Sequence, residues 1–153
     1  EKNPVNYSEL LTEACEDAEL LAAAANIKLE TQIQPDIHGL GDPNHLRRLL
    51  LNLLDNACKH NRSGGEAKCF LEKDDRGAVL RIGNTGPGIP PEKRERVFER
   101  FFLSDPSRSN SRGHGLGLAL CWEIVELHGG QLSLSKSSGP DWTEFVVILP
   151  VEP

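Results

Sequence analysis

Apolar positions recur at helical spacing from the start of the chain. In YSELLTEACEDAELLAAAA (residues 7–25), Leu10, Leu11, Ala14, Ala18 and Leu21 form one stripe, Ser8, Glu9 and Glu13 sit near the start, and Asn26 suits the end. The period then changes. IKLETQI (27–33) alternates Ile27, Leu29, Thr31 and Ile33 against polar neighbours, which predicts a strand with one buried face. A link punctuated by Pro and Gly follows, and Asp42-Pro43 open a second helix that runs to about His60. AKCFLE (67–72) and AVLRIG (78–83) read as strands of a hairpin turned by KDDRG. Pro90-Pro91 start a short charged helix, PEKRERVFERF, and SDPSRSNSRG (104–113) has no large apolar side chain, which predicts a mobile loop. A third main helix runs from about Leu116 to His128 and is closed by Gly129-Gly130. QLSLS and TEFVVIL end the chain as two strands joined by SSGPD. The pattern predicts one α+β domain over residues 1–153, a two-layer α/β sandwich. In it, three main helices cover one face of a mixed sheet of about five strands.

Composition narrows the partners. The 153 residues are enough for a core of their own, without disulfides or a structural metal. No stretch approaches about 18 consecutive apolar residues and no basic-then-apolar segment opens the chain, so neither a membrane span nor a signal peptide is expected within it. Lys and Arg number 17 against 23 Asp and Glu, a net charge of -6 with no basic block, which argues against a nucleic-acid surface. The absence of Met, even at position 1, suggests an excerpt of a longer protein. Cys15, Cys58, Cys69 and Cys121 lack zinc-ligand spacing and read as small core hydrophobes of a cytoplasmic domain.

Three segments carry candidate chemistry. On the second helix Leu46, Leu49, Leu50, Leu53, Leu54 and Ala57 share one arc, whereas Asn52, Asn56, Lys59 and His60 share another, rotated by roughly 110° at 3.6 residues per turn. Two amides, a cation and an imidazole suit a phosphate-and-metal site, because an amide oxygen can ligate Mg²⁺ and Lys can neutralise phosphate. The same arc is also what the solvated side of an amphipathic helix looks like. In Asn84-Thr-Gly-Pro-Gly88-Ile89, Gly86 and Gly88 permit positive φ and close backbone approach to a planar ligand, and Asn84 can hydrogen-bond a base edge; a plain Gly-Pro turn is the alternative. Gly113-His114-Gly115-Leu116-Gly117 opens a helix with alternate glycines, whose free N–H groups can hold anionic oxygens, or forms a simple hinge. It is neither a P-loop nor GxGxxG.

In order and mutual spacing, these segments resemble the ATP-binding catalytic domain of sensor histidine kinases. That domain has the Bergerat fold and belongs to the wider superfamily that includes gyrase, the chaperone ATPases and the mismatch-repair ATPases. DPNHLRRLLLNLLDNACKH (42–60) looks like the N box, Asn84 to Ile89 the G1 box, VFERFF (97–102) the F box, Gly113 to Leu118 the G2 box, and WTEF (142–145) the last box. The resemblance implies Mg²⁺ coordination by Asn56 and phosphate-side contacts from Asn52, Lys59 and His60. It places adenine against Asn84, Gly86, Gly88 and Ile89, with Thr143 on the adenine side. The phosphates come under a lid, Ser104 to Arg112, in which Arg108 and Arg112 are candidate contacts, and beside Gly113, His114, Gly115, Leu116 and Gly117. Asn52 stands where hydrolysing branches carry a water-activating Glu, which favours phosphoryl transfer over hydrolysis. Asn84 replaces the usual Asp, implying weaker nucleotide binding, and Asp141-Trp142 replace the usual Gly of the last box.

The resemblance further implies a γ-phosphate acceptor His on a separate dimerisation domain, a response regulator as downstream partner, a homodimeric full-length protein and anchorage in the bacterial inner membrane. None of His38, His45, His60, His114 or His128 sits in a helical His-Glu context, so no catalytic residue is expected in this chain. A non-catalytic nucleotide sensor, a serine kinase of the anti-sigma type and a gyrase-type hydrolase are the rival readings.

Overall fold

The computed structural model describes residues 2–86, 116–135, 138–139 and 141–152. The first helix, α1 (Tyr7–Ala24), follows a short strand, β1 (Asn3–Asn6), and is capped by the Asn6 side chain, which accepts from the Glu9 N–H at 3.0 Å. It stops where Asn26 takes φ 58°, a left-handed conformation that Asn tolerates. Strand β2 (Lys28–Ile33) follows, but its expected buried face is only half-buried, at Leu29 and Ile33, with Thr31 exposed, because it is an edge strand of the main sheet.

The link after β2 is not irregular throughout. His38–Gly41 form a strand, β3, paired antiparallel with β1, so the expectation of a plain Pro/Gly link is corrected. Four residues, two of them Gly, carry too little period-2 pattern to reveal a strand, and its partner β1 is equally short.

Helix α2 (Pro43–Lys59) has Asp42 as N-cap, accepting from Asn44 N–H at 2.9 Å and His45 N–H at 3.2 Å, with Pro43 in its first turn. Those hydrogen bonds, the one from His45 foremost, hold the Asp42 carboxyl below its usual range. The hairpin is β4 (Glu66–Asp74) and β5 (Gly77–Thr85), turned where Gly77 takes φ 127°. Helix α3 (Leu116–Leu127), β6 (Gln131–Leu134) and β7 (Trp142–Leu149) complete the described elements. The expected PEKRERVFERF helix and the 104–113 loop lie outside the described residues.

The main sheet has the order β2-β4-β5-β7-β6; β2 and β4 are parallel and the other pairs antiparallel. Period-2 alternation sends Ala67, Cys69 and Leu71, then Ala78, Leu80 and Ile82, then Phe145, Val147 and Leu149 to the helical side. There they meet the buried stripe of α2 (Leu46, Leu49, Leu50, Leu53, Leu54, Ala57) and the buried side of α1. α2 is the central helix, packed between α1 and α3. Its start is tied to the end of α3 by His128, whose Nε2 accepts from the Asp42 N–H at 3.0 Å while Nδ1 donates to the Ile124 carbonyl at 2.8 Å. No helix among the described residues is long and apolar enough to cross a membrane.

Candidate functional site

The helical side of the sheet is apolar except at one end. Asn84 on β5 and Thr143 on β7 are register partners there, 3% and 8% exposed. The other buried polar side chains of the described residues are engaged. Ser8 donates to the Gln34 carbonyl and accepts from the Ile37 N–H, and His128 uses both ring nitrogens. Thr143 makes no side-chain hydrogen bond to a described residue. Asn84 uses only half of its amide: Nδ2 donates to the Thr85 carbonyl at 2.7 Å, and Oδ1 accepts from no described residue. A buried polar group without a partner is costly, and a pair of them at one end of an apolar floor is a place for a ligand with donors.

Helix α2, which carries the polar arc, packs on β5. Asn52 and Asn56 are half-buried, and Lys59 and His60 are exposed. The Cys121 thiol of α3 donates to the Leu49 carbonyl of α2 at 3.9 Å, and burial pushes it up to about 12 although nearby Asn52 acts the other way. Lys59 is held by Asp55 at 2.7 Å, one helical turn earlier. Asp55 was not among the sequence candidates, although Asp and Lys at i and i+4 signal such a pair. His60 caps α2, its N–H donating to the Asn56 carbonyl at 3.1 Å.

Gly86 takes φ 148°, and a Cβ there would strike the His60 carbonyl, so the end of β5 and the end of α2 approach as only glycine permits. Trp142, in place of the expected glycine, lays its indole on Gly83 with Lys68 Nζ 5.7 Å from the ring centroid, on the face opposite Asn84. It therefore does not fill the space above Asn84 and Thr143. At Gly117 a Cβ would meet no described atom within 4 Å. Leu116 begins α3, and its side chain lies outside the described part; so do Gly88, Ile89, Arg108, Arg112, Gly113, His114 and Gly115. The structure thus brings Asn84 and Thr143 together as register partners and sets Gly86, at the end of the same strand, against the His60 carbonyl at the end of α2.

Among the described residues no group of three or more His, Cys, Asp or Glu could hold a metal ion. Among the described residues, amide oxygens are the side-chain donors that could serve an ion alongside a ligand's own oxygens, a way in which Mg²⁺ is commonly held with phosphates.

The family profile described as histidine kinase-, DNA gyrase B- and HSP90-like ATPase matches residues 41–153, which include α2, the Asn84 strand end and Thr143. The chain belongs to that family. Over 153 residues it is 36% identical to the probable sensor histidine kinase TcrY of Mycobacterium tuberculosis, covering 99% of the chain and 32% of the relative. It is 39% identical over 129 residues to the adaptive-response sensory kinase SasA of Trichormus variabilis, covering 82% of the chain and 31% of the relative. Among solved structures, the mycobacterial sensor histidine kinase MprB superposes with a TM-score of 0.86 at 37% identity, 99% of each chain being covered. The chain spans between about a fifth and a third of the length of the curated kinases it matches. These matches establish the α+β fold of histidine kinase ATPase domains.

Proposed function

We propose that the chain is a single ATP-binding catalytic domain, residues 1–153, which binds Mg-ATP over the Asn84–Thr143 floor and donates the γ-phosphate to a histidine of a separate dimerisation domain. The observation that carries this reading is the pair of buried, underused polar side chains, Asn84 and Thr143, side by side on the helical face of the sheet in a chain of this family. Asn84 Oδ1 accepts from the adenine amino group, and Thr143 contributes on the same side. Asn56 holds Mg²⁺ through its amide oxygen; the ion, when bound, neutralises the phosphate oxygens. Lys59 leaves Asp55 for phosphate at little cost, because the two side chains are 34% and 35% exposed and a pair so exposed contributes about 0–1 kcal/mol. Gly88, Ile89, Arg108, Gly113, His114, Gly115, Leu116 and Gly117 complete the site around the base and phosphates.

Phosphoryl transfer needs positioning and charge neutralisation more than covalent help. Asn52 has no carboxylate to activate water, which suits transfer to a protein nucleophile rather than hydrolysis. The partners follow from this reading: the phosphoacceptor and dimerisation domain, and a response regulator. The domain is cytoplasmic, within a homodimeric protein anchored in the inner membrane.

The test is calorimetric titration of the chain with Mg-ATP, followed by transfer from γ-labelled ATP to an added histidine-bearing dimerisation fragment. Binding, transfer to the fragment and loss of Mg²⁺-dependent binding in Asn56→Ala are expected. Binding without transfer would indicate a non-catalytic sensor, steady hydrolysis by the chain alone would indicate an ATPase, and no binding would reject the reading.

A further inference from the structure

Asn84 can read a base in two ways. Its amide presents an acceptor or a donor according to which end faces the ligand, so its selectivity depends on what fixes its direction. Here Nδ2 is held by the Thr85 carbonyl at 2.7 Å. The position of the Thr85 peptide therefore decides what Asn84 offers.

Thr85 is itself clamped. Its Oγ1 donates to Asn61 Oδ1 at 2.6 Å and accepts from the Glu66 N–H at 2.9 Å. Asn61 Nδ2 donates to the Glu66 carbonyl at 2.8 Å, and Asn61 Oδ1 also accepts from the Arg62 N–H at 2.8 Å. Three pieces of chain are joined: the residue after the α2 cap, the first residue of β4 and the last residue of β5. Gly65 packs on the joint, where a Cβ would strike both Asn61 Oδ1 and Thr85 Oγ1.

We propose that Asn61 and Thr85 are positioning residues that set the base selectivity of the site by fixing the direction of the Asn84 amide. The inference rests on the nucleotide-binding reading above. With the clamp in place Oδ1 is presented, and a base bearing an exocyclic amino group is preferred. With the clamp removed the Thr85 peptide shifts, the amide turns, and a base with a carbonyl at the same position is accepted nearly as well. The preference at stake is that of one hydrogen bond, about five- to tenfold in affinity.

The experiment measures dissociation constants of the chain for Mg-ATP and for Mg-ITP, whose base has a carbonyl in place of the amino group. The isosteric Thr85→Val removes the hydroxyl and is expected to reduce the ATP-to-ITP preference about five- to tenfold. Thr85→Ser keeps the hydroxyl and the preference. In an Asn84→Ala background, Thr85→Val leaves the ratio unchanged. Should Thr85→Val fail to fold by circular dichroism, Asn61→Ala breaks the same joint from the other side and carries the same expectation. Equal loss of affinity for both nucleotides in the folded clamp variants, or an unchanged ratio, overturns the inference and leaves nucleotide binding standing. Failure of the unaltered chain to bind either nucleotide overturns the underlying reading and the inference with it.

Discussion

Cys121 shows how burial of one titratable side chain makes stability depend on pH. It lies at the α2–α3 contact, fully buried, its thiol donating to the Leu49 carbonyl at 3.9 Å. Burial raises its ionisation from 9.0 to about 12, so between those values the folded chain keeps a proton that the unfolded chain releases. Its contribution is complete below pH 9 and is lost as pH rises towards 12; at pH 10.5 the loss is about 2 kcal/mol relative to neutral pH. Urea unfolding at pH 7.5 and 10.5 measures it. The drop should be smaller in Cys121→Ala than in the unaltered chain, with the remainder due to groups such as Tyr7, which burial pushes to about 12, and Cys58. Equal drops in both proteins would remove Cys121 from the account. A thiol kept neutral in this way is poorly suited to redox chemistry, because the thiolate is the reactive form.

At the level of elements, legibility in the sequence follows the strength of the local period. α2 was readable in both of its faces because the apolar arc recurs over about three turns, from Leu46 to Ala57, and the polar arc over about two, from Asn52 to His60, and Asp42-Pro43 mark its start chemically. The β4–β5 hairpin was readable from its turn, though the strands extend to Glu66–Asp74 and Gly77–Thr85, beyond the apolar runs, because backbone pairing continues after the side chains cease to alternate. β1 and β3 were not readable, since their pairing is made by two four-residue segments more than 30 residues apart. The Asn61–Thr85 joint was hidden for the same reason: neither residue is unusual locally, and only the fold brings them together. Asn84 and Thr143, by contrast, were suggested by family motifs, and the sheet register makes them neighbours. The α2 cap gives a test at this scale. Asp42→Ala removes the acceptor for two N–H groups and should lower the urea midpoint at pH 7, whereas Asp42→Asn keeps an acceptor and should retain most of the stability. Because the folded Asp42 carboxyl ionises below its usual range, the advantage of the unaltered chain over Asp42→Ala should be present above about pH 4 and shrink as pH falls further. An advantage independent of pH would mean that the cap acts through geometry alone.

Across the molecule the two ends of the β5–β7 pair have different tasks. At one end Asn84 and Thr143 are the neighbours proposed above to take the nucleotide; at the other, Ala78 pairs with Leu149, and the chain closes on itself. Tyr7 Oη donates to the Pro150 carbonyl at 2.8 Å, the Tyr7 N–H donates to the Ile37 carbonyl at 2.8 Å, and the Glu152 N–H donates to the His38 carbonyl at 2.9 Å. Gly39 leaves room for this closure, since a Cβ there would strike Tyr7 Oη and the Pro150 carbonyl. From Ala78 to Asn84 is roughly 20 Å along a strand at 3.3 Å per residue, well beyond the range over which substitutions usually couple. Tyr7→Phe should therefore cost about 1 kcal/mol of unfolding free energy, the net contribution of one hydrogen bond, and leave Mg-ATP affinity within twofold of the unaltered chain. Urea unfolding and calorimetry on the same preparation report the two quantities separately. If affinity falls in step with stability, the site depends on the closure at the far end, and the floor is not held by the sheet and the Asn61–Thr85 joint alone. If stability falls and affinity holds, the sheet acts as a rigid spacer, and the segments joined at its closed end can vary in sequence without disturbing the nucleotide end.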